Sequence, residues 1–107
     1  MSNNTINIFF DVQELYYLPQ YLPVHHELIK RGQGDSTFIF HHGKFDTIIE
    51  DIIQKENLNH IWVENKSEAN QYYQNNKVDW IFFGNTFPFL DEIHKVSKSI
   101  QLGHGVG

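Results

Sequence analysis

The stretch that decides the fold covers residues 99–107 and reads Ser99-Ile100-Gln101-Leu102-Gly103-His104-Gly105-Val106-Gly107. Its short apolar run stops abruptly at His104, which has a glycine on either side. Because glycine lacks a β-carbon, the backbone there can turn sharply and lie close to a ligand. A strand that runs into such a loop presents the imidazole at the carboxyl end of a sheet, where open α/β sheets bind their ligands. The composition also allows a frayed, glycine-rich tail, but the pattern of the remaining sequence favours the strand.

That pattern is an alternation of short apolar runs with longer amphipathic segments. The runs predict five strands: Ile6–Phe10, Ser36–Phe40, His60–Val63, Val78–Phe83 and the run that enters the Gly-His-Gly loop. The intervening segments predict helices within Leu15–Arg31, over Asp46–Glu56, over Ser67–Tyr73 and within Phe87–Val96. This alternation predicts the α/β class, with a Rossmann-like parallel sheet of about five strands and helices on both faces. We therefore expect residues 1–107 to form a single Rossmann-like domain.

Three local signals predict the helix boundaries and the buried faces. Pro19 and Pro23 fit best in a first helical turn, so the first helix either begins near residues 21–23 or begins earlier and is bent. Gly32 is the expected end of that helix, and Ser67 is the expected N-cap of the third. Two stripes are expected to face the core: Leu18, Leu22, His25, Leu28 and Ile29 in the first helix, and Phe45, Ile48, Ile49, Ile52 and Ile53 in the second.

Composition excludes several classes of protein. The net charge of −5, from 8 basic and 13 acidic residues, does not suit a nucleic-acid partner, which requires a basic face. The chain contains no cysteine, so it has neither disulfides nor thiolate metal sites. No apolar run approaches the roughly 20 residues of a membrane span, and the polar start does not resemble a signal peptide. We expect a cytoplasmic protein, with contact at the inner face of the cell membrane left open.

The expected site lies at the carboxyl edge of the sheet, where four polar loops meet: Asp11–Glu14, His41–Lys44, Gly84–Thr86 and Gly103–Gly107. No loop carries a Gly-x-Gly-x-x-Gly or Walker phosphate-binding motif, so we expect no bound cofactor. His104 is the candidate catalytic residue, because imidazole can act as a general base near neutral pH. The candidate substrate-binding residues are Asp11, Tyr16, Asn85, Thr86, Gly103 and Gly105. Asp11 could orient an imidazole or a substrate hydroxyl, or could simply cap a turn.

Paired histidines and a group of tyrosines are weaker candidates. Neighbouring residues on a helix point in different directions, so His25 and His26 cannot chelate one ion. His41 and His42 have no companion at helical spacing, so we expect both pairs to be ordinary exposed side chains and predict no metal site. Tyr16, Tyr17 and Tyr21 could stack against a sugar or a base, or could cover the seam between a helix and the sheet.

Three blocks of the sequence resemble the CDP-glycerol glycerophosphotransferase family: Phe9–Val12, Leu15–Val24 with Glu27–Gly32, and Ile100–Gly107. The family's motif is a strand that runs into Trp-His-Gly-Thr/Ile, and here Gly103 stands where tryptophan is common. The resemblance implies a GT-B architecture, in which two Rossmann-like domains face each other across a cleft. It also implies transfer of glycerol phosphate from CDP-glycerol to a teichoic-acid or capsule-like polymer at the cytoplasmic membrane face, with His104 as the base that activates the acceptor hydroxyl.

The resemblance covers only the amino-terminal domain of that family. It implies that this chain is the amino-terminal half of a two-domain enzyme and is inactive alone, because the residues that hold the nucleotide belong to the other domain. Its partners would be CDP-glycerol, the polymer acceptor and the carboxyl-terminal domain, whose docking surface we expect at residues 16–21 or around Phe87 and Phe89. Two alternatives remain open. One is another GT-B sugar-nucleotide enzyme, such as a glycosyltransferase or a UDP-N-acetylglucosamine 2-epimerase-like protein; the other is a stand-alone flavodoxin-like binding module.

Overall fold

The computed structural model describes residues 6–32, 34–84, 93 and 97–101, without the side chains of Tyr16 and Gln101. The strands are β1 (Ile6–Val12), β2 (Gly34–His41), β3 (His60–Val63), β4 (Trp80–Phe83) and β5 (Lys98–Gln101). The helices are a 3-10 turn (Leu15–Tyr17), α1 (Leu18–Arg31), α2 (Asp46–Glu56) and α3 (Lys66–Asn75).

All five strands belong to one sheet in the order β3-β2-β1-β4-β5, and every neighbouring pair is parallel. Their registers align Asp11 of β1 with Ile39 of β2 on one side and with Phe83 of β4 on the other. The predicted α/β fold with a parallel sheet of five strands is confirmed. The carboxyl ends of all strands therefore lie along the same edge.

Alternation along the strands builds a separate apolar core on each face of the sheet. Phe10 and Phe38 belong to the core under α1 and α2, whereas Phe9 and Ile39, one residue away, belong to the core under α3. Successive strand residues point to opposite faces, so one apolar run supplies both cores. The prediction of helices on both faces is confirmed. No helix in the part of the chain that the structure describes combines the length and the apolar character needed to cross a bilayer.

The first helix begins earlier than its prolines alone indicate. The 3-10 turn leads directly into α1, so Pro19 lies in the first turn and Pro23 lies inside the helix. The sequence left open whether the first helix begins near residues 21–23 or earlier, and in the structure it begins earlier, at Leu18. Gly32 ends the helix as predicted, in the left-handed conformation with φ of 62°, which glycine adopts without a steric penalty.

Several predicted boundaries are wrong by a few residues. Asp11 is not the start of a loop, because β1 continues to Val12 between two strands that pair with it. The other strand differences are that β2 extends from Gly34 to His41 and that β4 begins at Trp80. The N-cap of α3 is Asn65 and not Ser67, because the Asn65 side chain accepts a hydrogen bond from the Glu68 backbone N–H at 2.9 Å.

The buried helix faces are narrower than predicted. In α2, Ile49 and Ile53 are buried one turn apart, whereas Ile48 is 49 % exposed and Phe45 is also exposed. In α1, Ile29 is 59 % exposed. Consecutive helix residues point about 100° apart, so a stripe of five residues cannot all contact one flat sheet.

A surface for docking of the carboxyl-terminal domain was expected at residues 16–21, but Tyr17 and Tyr21 do not provide it. Tyr17 and Tyr21 are buried and cover the seam between α1 and the sheet, which was the second interpretation of the tyrosine group. The side chain of Tyr16 and the region of Phe87 and Phe89 lie outside the described residues. So does the helix predicted within residues 87–96, except for Ile93, which is helical and buried.

Candidate ligand-binding site

Asp11 is fully buried at the carboxyl end of β1, and its carboxylate accepts hydrogen bonds from three side chains. His41 at the end of β2 donates from Nε2 at 2.9 Å, and Gln13 donates from Nε2 at 3.0 Å. The third donor is the hydroxyl of Tyr73 on α3. The group therefore ties together β1, β2, α3 and the loop that follows β1.

Strand register explains why these residues meet. Asp11 and Ile39 are aligned, and His41 lies two residues further along β2, so its side chain leaves the same face of the sheet as that of Asp11. That face is the one covered by α3, where Tyr73 is completely buried. Parallel pairing thus brings a carboxylate, an imidazole and a phenol together from positions 11, 41 and 73.

Burial keeps the Tyr73 hydroxyl protonated beside the Asp11 carboxylate. A buried carboxylate is tolerated where several donors satisfy its oxygens. Burial and the nearby Asp11 charge raise the pKa of the Tyr73 hydroxyl well above its usual value, so Tyr73 remains a donor. Because a carboxylate only accepts, His41 is the donor to Asp11 through Nε2. The His41 side chain is 9 % exposed.

Tyrosines occupy the place where the strand order reverses, between β1 and β4. The Tyr21 hydroxyl donates to the main-chain oxygen of Asp11 at 2.8 Å and lies 3.4 Å from that of Phe82. Burial, and then the Asp11 charge, raise its pKa. The Tyr17 ring lies directly against Gly84 at the end of β4. Dinucleotide-binding folds use this crevice for a glycine-rich phosphate loop, whereas here a 3-10 turn and two buried phenols fill the start of it.

An open polar pocket of about 250 Å³ lies beside the buried group, between the loops that follow β1 and β2. Six polar residues contribute to its lining: Gln13, Glu14, His41, His42, Lys44 and Asp46. Cationic and anionic side chains both occur there, together with an amide. Such a lining can donate to and accept from an uncharged, hydroxylated ligand.

His42 is held in place at this pocket by contacts with three elements. Its Nδ1 donates to Asp46 at 2.7 Å, its Nε2 lies 3.7 Å from Glu64, and its ring stacks on Trp62 with centroids 4.6 Å apart. The hydrogen bond raises the pKa of His42 and lowers that of Asp46. Asp46 also accepts from the Gly43 backbone N–H at 2.8 Å, so the pocket wall after β2 is a connected hydrogen-bonded loop.

The structure places only part of the predicted site. Asp11 lies at the predicted edge, although in a strand and with its carboxylate engaged by protein donors. The other predicted residues lie outside the description: His104, Asn85, Thr86, Gly103 and Gly105 entirely, and Tyr16 in its side chain. Whether His104 reaches Asp11 therefore stays a prediction.

Three residues of the group around Asp11 were not among the predicted site residues: Gln13, His41 and Tyr73. His41 was expected to be exposed, but its side chain lies against Asp11 and is only 9 % exposed, so that prediction is wrong. The prediction is also wrong for His25, which is 5 % exposed and packs edge-on against Phe38. The sequence did contain a signal for His41. It is a polar residue at the end of β2, and Asp11 lies near the end of β1, so both belong to the same edge of a parallel sheet. Nothing local distinguishes Tyr73 from other helix tyrosines.

Within the described ranges, no three His, Asp or Glu side chains are grouped so as to hold a metal ion. Comparisons of the chain with protein-family models, with curated proteins and with solved structures gave no match.

Proposed function

We propose that this chain is the acceptor-binding, amino-terminal domain of a glycerophosphotransferase-type enzyme. The observation that carries the proposal is the polar pocket at the carboxyl edge of a parallel sheet, next to the hydrogen-bonded Asp11–His41 pair. The resemblance of residues 9–12, 15–24, 27–32 and 100–107 to the CDP-glycerol family supplies the reaction: transfer of glycerol phosphate from CDP-glycerol to a teichoic-acid or capsule-like polymer. The proposed place of work is the cytoplasmic face of the membrane.

The charges of the pocket support an acceptor rather than a nucleotide as its ligand. Lys44 shares the lining with two carboxylates, those of Glu14 and Asp46, so the lining does not concentrate positive charge. Phosphoryl transfer needs cations or helix N-termini around the phosphate oxygens. We therefore assign the diphosphate of CDP-glycerol to the second domain and the hydroxyl-bearing acceptor to this one.

In the proposed reaction, an imidazole removes the proton from the acceptor hydroxyl as that oxygen attacks phosphorus and CMP leaves. The resemblance gives this role to His104. The Asp11–His41 pair positions the pocket, because it fixes the end of β2 and holds Gln13 by its amide at 3.0 Å. A proton acceptor of this kind contributes about 10²-fold or more to rate.

An activity assay tests the division between two domains. The 107-residue chain alone should release no CMP from CDP-glycerol in the presence of a polymer acceptor. Fusion to a carboxyl-terminal domain of the family, or addition of that domain in trans, should restore release, and His104→Ala should then lower the rate by roughly 10²-fold. Turnover by the chain alone would refute the proposed division, and an unimpaired His104→Ala would remove the catalytic role. Use of a UDP-sugar instead of CDP-glycerol would favour the alternative GT-B enzyme.

A binding measurement tests the pocket without requiring turnover. Titration of the isolated chain with glycerol, the uncharged hydroxyl-bearing end of the proposed acceptor, should shift the NMR signals of Gln13, Lys44 and His42. His42→Ala should weaken binding several-fold. His26→Ala is the matched control, because His26 is also exposed and also bonded to a carboxylate, that of Glu56 at 2.8 Å, but does not line the pocket. Equal effects of the two variants would contradict the assignment.

A further inference from the structure

An apolar groove separates α1 from α2 on the face of the sheet opposite α3. Its volume is about 540 Å³, and its walls are formed by Leu18, Pro19 and Leu22 of α1 and by Ile52 of α2. Lys55 and Glu56 lie at one end of it. Leu22 and Ile52 are only half-buried although they pack against the core, so the groove leaves apolar side-chain surface open.

The groove is continuous with the polar pocket, because Leu15 and Phe45 line both. Phe45 immediately precedes α2 and Lys55 lies in its last turn. At about 1.5 Å per residue, the groove therefore follows α2 for roughly 15 Å. One end is polar and carries charges of both signs, the middle is apolar, and the far end carries Lys55 and Glu56.

We propose that the groove and the polar pocket together bind a single-chain amphiphile with an uncharged, hydroxylated head. The alkyl chain occupies the groove and the head occupies the pocket. The assignment of the head rests on the hydroxyl-binding role proposed above for the pocket. The lining carries charges of both signs, from Lys44 and from Glu14 and Asp46, so it favours neither an anionic nor a cationic head.

The two ends of the groove limit the ligand. Both volumes lie in or near the range of about 300–1,000 Å³ that is usual for small-molecule sites. At the far end, Glu56 is bonded to His26 at 2.8 Å and Lys55 is charged, so a longer chain gains nothing by reaching them. Each methylene buried before that point contributes about 0.8 kcal/mol, which corresponds to roughly fourfold in Kd.

Calorimetry with 1-O-alkyl glycerols tests the inference on the 107-residue chain. Hexyl, octyl and decyl compounds are compared below their critical micelle concentrations, which excludes binding to a micelle or bilayer surface. Affinity should rise by roughly fourfold per methylene and then level off with longer chains. Capping both hydroxyls as methyl ethers should weaken binding at least tenfold for the same chain.

Two variants locate the binding. Ile52→Asp, in the groove wall, should weaken decyl glycerol binding at least tenfold. Ile29→Asp should leave it unchanged, because Ile29 is exposed on α1 and does not line the groove. Circular dichroism checks that both variants fold. If Ile52→Asp does not fold, the chain-length series on the unaltered protein tests the inference by itself.

Three outcomes would overturn the inference. They are affinity independent of chain length, affinity unaffected by capping of the hydroxyls, and a dimer of the unaltered chain that Ile52→Asp converts to a monomer, since the groove would then hold a second copy. Failure of CMP release in the reconstituted enzyme, with both ligand series behaving as expected, would count against the glycerophosphotransferase proposal alone.

Discussion

At the scale of single residues, the carboxyl edge depends on one buried carboxylate. Asp11 has no exposed surface, and Tyr73, His41 and Gln13 satisfy it from three directions. A buried charge that loses a donor retains its desolvation penalty. The donors therefore stabilise the fold and fix the pocket loops through the same contacts.

Replacing Tyr73 by phenylalanine removes one donor while keeping the buried ring. We expect Tyr73→Phe to lower the free energy of unfolding by about 1–3 kcal/mol, measured by urea denaturation. Tyr72→Phe is the control, since Tyr72 is the half-buried neighbour that packs on Phe9 at 5.3 Å, and it should change stability by less than about 0.5 kcal/mol. Equal losses in the two variants would show that the Asp11 contact is not responsible.

Two histidines should give stability contributions with opposite pH dependence. Burial lowers the pKa of His25, and its Nδ1 is buried without a partner in the described structure, so the native state favours the neutral ring. The stability that the neutral His25 ring contributes is complete above the pKa of the unfolded state, about 6.5. It is lost as the pH falls through the lower pKa of the folded state. The hydrogen bond to Asp46 raises the pKa of His42, so that contribution is present below about 6.5 and is lost as the pH rises through the folded value.

NMR titration of the imidazole signals checks both directions, because His25 should titrate below about 6.5 and His42 above it. In urea denaturation, His25→Leu should reduce the loss of stability between neutral and mildly acidic pH. His42→Ala should have its larger effect on the acidic side. The reverse order of the two NMR midpoints would contradict the assigned environments.

At the scale of elements, the contact between the 3-10 turn and the end of β4 should be intolerant of any side chain on Gly84. A β-carbon there would overlap the Tyr17 ring, whereas one on Gly43 would meet no atom within 4 Å. We expect Gly84→Ala to destabilise the protein by about 1–3 kcal/mol through overpacking. Gly43→Ala should change thermal stability little. Combining Gly84→Ala with Tyr17→Leu should recover part of the loss if the overlap is the cause.

The elements could be predicted from sequence to the extent that their signals are local. Gly32, the apolar runs and the period of α2 all act within a few residues, and the chain order that they predict for the five strands and for α1, α2 and α3 is confirmed. The α3 cap was misplaced because Asn65 and Ser67 are both good caps and only tertiary position selects between them. The exposure of Ile48 and Ile29 depends on how each helix is rotated relative to the sheet. The spacing of apolar residues along the sequence does not give that rotation.

At the scale of the whole molecule, parallel order made the edge predictable but not its contacts. Alternation of strands and helices indicates that Asp11 and the residues after β2 share one edge. The pairing of Asp11 with His41 requires the register of β1 with β2, and the Tyr73 contact requires the placement of α3 over the face from which both side chains project. The groove beside α2 likewise exists only after α1 and α2 are packed side by side.

The sheet order also predicts how stability is distributed. β1 pairs with β2 on one side and β4 on the other, whereas β3 pairs in the described structure with β2 alone. Opening β1 breaks its hydrogen bonds to both β2 and β4 and exposes the apolar cores on both faces of the sheet. The β1 amides should therefore exchange only by near-global unfolding. Hydrogen exchange by NMR should therefore show slower exchange at Phe9 and Phe10 than at Ile61 and Trp62. Faster exchange in β1 than in β3 would mean that the central strand opens locally, and Asp11 could not then be held as rigidly as the pocket requires.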